Sequence, residues 1–148
     1  MLVSRLALIA VLVLPLTGFM ASSGRVADPV AGQQEIDAAM GTIKRSLKSL
    51  QDSAEDKDKL DQSLASVLEL EAALEVCKKA VPGKAADLEG KAREKMLREY
   101  RLMIIEVLKT SLDLEAALVD GKLPKAKKLV NQIAAFEGKG HGKFKDGK

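Results

Sequence analysis

Between Gln33 and Gln51 the apolar residues Ile36, Met40, Ile43, Leu47 and Leu50 recur at steps of four, three, four and three. A helix turns once in 3.6 residues, so this spacing gathers all five on one narrow stripe. A stripe of that width is the seam of a helix packed lengthwise against other helices. The rest of the chain can satisfy it only by supplying partners of the same kind.

Three further stretches do so. Over 56–80, Leu60, Leu64, Val67 and Leu74 form a seam that Leu68, Leu70 and Cys77 widen. Ser53 followed by Asp56 resembles a helix N-cap with an acidic third position, and Pro82-Gly83 stops this second helix. The third stretch, 85–119, carries Met96, Tyr100, Met103, Val107, Leu114 and Ala117 on one stripe, broadened by Leu97, Ile104, Leu108 and Leu118. Asp120-Gly121 closes it, and Leu123-Pro124 opens a fourth helix with proline near the first helical position, where its missing N–H costs little. That helix, 124–144, runs through Val130, Ile133, Ala134 and Phe136 and continues in register to His141 and Phe144. Gly138, Gly140 and Gly142 weaken its last turns by about 1 kcal/mol each relative to alanine. Short connections favour antiparallel neighbours, so the expected fold is all-α: an antiparallel up-down-up-down four-helix bundle.

The first residues stand outside that fold. Arg5, the apolar run Leu6 to Leu16, and Ala21 and Ser23 placed before Gly24 read as a secretory signal peptide over 1–23, cleaved near Ser23. The bundle then occupies 24–148, a single domain that is exported and not inserted in a membrane. Formal net charge is +3 over the whole sequence. Near-neutrality, with only 3% aromatic residues, argues against nucleic acid as a partner. The single cysteine, Cys77, cannot form an internal disulfide and cannot supply a two-thiol haem attachment.

Up-down-up-down topology has a chemical consequence. Helices 1 and 3 begin, and helices 2 and 4 end, at one end of the bundle. Met40, Cys77, the Pro82 turn, Met96, Tyr100 and His141, the only histidine, all gather there. A thioether and an imidazole facing each other can clamp a haem iron. The plainer readings are a core methionine and a solvated histidine. A zinc site is poorly supplied, since His141 and Cys77 offer two ligands of the four required. One histidine also leaves no hydrolytic triad, and no glycine-rich phosphate loop follows a strand. From Gly121 to Lys148 eight lysines face Glu137 and Asp146. They are either a solvated face or a basic end that gives Lys143 or Lys145 to a haem propionate and steers acidic redox partners.

These residues resemble the soluble periplasmic cytochrome b562 family across nearly all of 24–148. The stretch from Asp120-Gly121-Lys122 to His141 and Lys145 matches the family's last helix without a gap. The resemblance puts His141 on the axial histidine and Met40, within Ile36-Asp37-Ala38-Ala39-Met40, on the axial methionine. It puts Lys145 in place of a nearby arginine and Glu137 in place of a basic residue. Ala80-Val81-Pro82 resembles the turn beside the haem pocket, Tyr100 falls on a pocket phenylalanine, and Ile104 stands where a second aromatic is expected. The resemblance implies a non-covalent haem b and single-electron transfer. It further implies no enzymatic activity and a periplasmic redox partner of unidentified nature, while a closed bundle, which needs no partner to bury its seams, is expected to be a monomer. The alternatives are a haem-free periplasmic bundle serving as an interaction or stress protein, and a metal-binding module using Cys77 or His141.

Overall fold

The computed structural model describes residues 29–144, with side chains from residue 34 onward. The proposed signal peptide, its cleavage near Ser23, and Lys145 lie outside the described residues. Four helices follow one another: α1 Pro29–Ser53, α2 Leu60–Lys79, α3 Gly90–Val119 and α4 Leu123–Phe144. Short 3₁₀ turns at Lys57–Lys59 and Gly83–Ala85 precede α2 and α3.

Cross-helix contacts fix the direction of each neighbour. Ser53 meets Ser63 while Ser49 meets Ser66, so α1 and α2 are antiparallel. Tyr100 reaches Cys77 whereas Glu71 faces Ser111 and Glu115, which reverses α3 against α2. Tyr100 touches Phe144 and Met103 lies against Gly140, which reverses α4 against α3. The α4 helix also packs on α1 and closes the bundle. The core is aliphatic: Leu50, Val67, Leu70, Leu114, Leu118 and Ile133 are almost fully buried.

Helix boundaries differ from the sequence expectation at both ends of α1, which runs Pro29–Ser53 where 33–51 is expected, at the start of α2, at Leu60 where 56 is expected, and at the start of α3. Ser53 does not cap the second helix. It is the last residue of α1, buried, and its hydroxyl donates to the Ser49 carbonyl at 2.8 Å. Asp56 takes the capping role, its carboxylate accepting the Asp58 N–H at 3.0 Å in front of the 3₁₀ turn. Finally, α3 begins at Gly90 instead of Ala85. Pro82 holds an extended conformation, and Gly90 has φ +52°, a left-handed value through which a regular helix does not pass. Helix-favouring alanines in between give way to those two constraints.

The α3–α4 turn is as expected from Asp120-Gly121. Gly121, at φ +66°, donates to the Leu118 carbonyl at 2.9 Å, and Lys122 donates to the Ala117 carbonyl at 2.8 Å. This double bond pattern satisfies the orphan carbonyls of the helix end.

Candidate functional site

The helix ends expected to share one end of the bundle do enclose a cavity there. Its volume is about 100 Å³, and its lining is predominantly aliphatic and aromatic. Met40 enters from α1 and His141 from α4, so both predicted ligands line the same cavity. Pro82, Tyr100 and Ile104 line it too. Cys77 and Met96 do not reach it: Cys77 is buried within the core beside it, and Met96 packs on the core's edge.

The two ligand candidates are unequally placed. Met40 is half-buried on the α1 seam. His141 touches the cavity from its rim and is otherwise exposed. The interior position on that face belongs to Phe144, one turn later, which is buried edge-on against Tyr100 with ring centroids 5.3 Å apart. A phenyl ring gains more from burial than an imidazole does, and the helix turns accordingly.

The glycine-rich end of α4 is helical because tertiary contacts pin it. The Lys84 ammonium donates to the Gly142 carbonyl at 3.2 Å, and Lys143 pairs with Glu99 at 3.1 Å. The Lys143 ammonium also lies 5.4 Å from the Phe144 ring centroid. Together with the Tyr100–Phe144 contact, these bonds join α4 to the 3₁₀ turn and to α3.

Tyr100 organises the opposite wall. Its hydroxyl donates to the Cys77 carbonyl at 2.9 Å, at the point where α2 ends and that carbonyl also accepts the Ala80 N–H. Burial, and next the neighbouring Cys77, push the Tyr100 phenol up, so it remains neutral. Burial likewise pushes the Cys77 thiol up to about 11. Cys77 does not line the cavity and so adds no donor to it. Among the described residues no group of three or more His, Cys, Asp or Glu side chains gathers as a metal site.

Sequence reasoning passed over two participants. Met103, a seam residue by its spacing, lines the cavity, and a Cβ on Gly140 would stand 2.8 Å from its Cε. Gly140 is thus the notch that receives the Met103 methyl. Phe144, which by spacing only continues a stripe, packs on Tyr100 and lines the cavity. The helical register could flag both, since Met103 lies on the stripe of Tyr100 and Val107 and Phe144 lies one turn after His141.

The donor chemistry fits a haem: a thioether and an imidazole reach one cavity from different helices, and its walls are apolar. Its volume is below the roughly 300–1,000 Å³ of ligand sites, so side chains of the lining would have to give way to a porphyrin.

Fold and site together define an antiparallel helical bundle with an apolar ligand cavity at one end. The family model for cytochrome b562 matches residues 35–145, and the chain belongs to the cytochrome b562 family. That is a family of haem-binding electron-transfer proteins. No curated protein matched the chain. Among the described residues no helix is long and apolar enough to cross a membrane.

Proposed function

We propose that this protein is a periplasmic b-type haem electron carrier in which Met40 and His141 are the axial iron ligands. The observation that carries the reading is the convergence of these two side chains, from α1 and α4, on one apolar cavity. Haem bound there, without covalent attachment, supplies a one-electron iron couple. The rest is the work of this chain. Apolar walls exclude water, and methionine paired with histidine favours the reduced iron relative to two stronger donors. Tyr100, neutral and anchored to Cys77, keeps the α2–α3 wall in place. The Lys84–Gly142 and Lys143–Glu99 bonds hold the helix that presents His141. With Met40 and His141 both given to the iron, no open coordination position would remain for a substrate, which favours electron transfer over catalysis.

Titrating haem into the purified chain is expected to produce a six-coordinate, low-spin spectrum at one equivalent. Met40→Ala and His141→Ala are each expected to abolish it. A spectrum of free haem throughout the titration would sink the proposal, and its retention in both variants would reassign the ligands.

A further inference from the structure

We infer that the groove between the end of α2 and the first half of α3 is a docking surface for a protein partner presenting acidic side chains around an apolar tip. The groove has a volume of about 390 Å³ and lies on the outer side of the wall that backs the cavity. Lys78, Lys79, Arg98 and Arg101 line it, and no carboxylate does. A shallower depression continues it along α3 past Lys91 and Lys95. Over the two, six cations stand against Glu94 and Glu99; Glu99 is already engaged by Lys95 and Lys143, and Lys78 is paired at 2.6 Å with Glu75, which lies outside the groove lining.

Helix-end electrostatics account for part of this charge. Lys78 and Lys79 lie in the last turn of α2, where cations complement the helix dipole. Arg98 and Arg101 lie in the first half of α3, where that explanation fails. Among the described residues neither takes part in an ion pair, and both are exposed. Two unpaired guanidinium groups one turn apart supply planar, bidentate donors that match carboxylates.

The floor between the cations is apolar. Val81, Leu97, Leu102 and Ile105 form it, and Leu102 stays 54% exposed. An apolar centre with a charged rim is the anatomy of a protein interface. A concave groove receives a protruding side chain, whereas a bilayer presents a flat surface. A free inorganic anion would use the cations and leave the apolar floor in water.

Tyr100 ties this surface to the cavity, because the residue lines both. A partner seated in the groove would therefore touch a residue that also belongs to the cavity wall. This deepens the electron-carrier reading, on which it rests for the partner's redox role. The charge and shape of the groove stand without it.

The test is made first on the purified chain without haem. The probe is a twelve-residue peptide of glutamate pairs separated by leucines, titrated into isotope-labelled protein. Amide shifts are expected at 78–81 and 97–105, with binding that weakens as salt rises. R98E/R101E is expected to weaken binding at least tenfold while leaving the melting temperature and haem titration unchanged, since both side chains are exposed. K125E/K128E, elsewhere on the basic surface, is expected to leave it intact. Equal loss in both variants, shifts centred elsewhere, or equal binding by a leucine-free peptide would overturn the assignment. Sedimentation with phosphatidylglycerol vesicles in the absence of peptide binding would overturn it in favour of a membrane surface. Peptide binding by a chain that takes up no haem upholds the groove and sinks the carrier reading alone.

Discussion

At the scale of single residues, Tyr100 and Cys77 show how one hydrogen bond serves several ends. The phenol satisfies a helix-terminal carbonyl, holds α3 against α2 and leaves its ring edge to Phe144. Tyr100→Phe is expected to cost about 1 kcal/mol, measured by denaturant unfolding, because Cys77 O keeps the Ala80 N–H as a partner. With its thiol pushed up to about 11, Cys77 is expected to react with a thiol reagent at pH 8 about a hundredfold more slowly than in the unfolded chain. A comparison of labelling rates with and without denaturant checks this.

Glu71 carries an avoidable cost. Burial, and then the facing Glu115, hold its carboxyl above the ordinary 4.5, and its Oε1 is buried with no hydrogen-bond partner among the described residues. A carboxyl that binds its proton more tightly when folded stabilises the protein in acid. That contribution declines as pH rises from 4.5 through the raised folded value. Glu71→Gln is expected to add a few tenths of a kcal/mol at pH 7 by removing the like-charge pair. It should also flatten this part of the stability–pH curve, followed by thermal melts at several pH values.

At the scale of elements, the α1–α2 pair is held by serines as much as by leucines. Ser66 bonds to Ser49, Ser63 to Ser53, and Ser46 to Glu69, across a seam narrow enough for hydroxyls to meet. Hydropathy patterns do not register such contacts, because serine reads as polar whether it faces water or another serine. The end of α4 offers a cleaner test. A Cβ at Gly138 or Gly142 meets nothing within 4 Å, whereas at Gly140 it meets Met103. Gly138→Ala and Gly142→Ala are each expected to stabilise by up to about 1 kcal/mol, and Gly140→Ala by clearly less. The difference, read from melting temperatures, isolates the Met103 contact. Its loss in Met103→Ala/Gly140→Ala would confirm the notch.

At the scale of the whole molecule, the bundle divides into a tightly packed aliphatic middle and an end built around a cavity. Ligand that binds only the folded chain stabilises it by mass action, about 4 kcal/mol at a thousand times the dissociation constant. Haem at that excess is expected to raise the melting temperature by more than ten degrees. His141→Ala should remove most of the increment without lowering the haem-free melting temperature, since the residue is exposed.

The sequence by itself determined the number of helices, their antiparallel order and the end at which Met40, Tyr100 and His141 meet. These follow from the 3.6-residue period, from Pro and Gly punctuation and from short connections, all local in the chain. Only the tertiary structure decided which residue of a shared face goes inside. His141 and Phe144 have the same register, and the competition for space beside Tyr100 gives the interior to Phe144. It likewise decided that α3 begins at Gly90 and that three glycines remain helical, because Lys84, Glu99 and Tyr100, distant in the chain, supply the bonds that local propensity lacks.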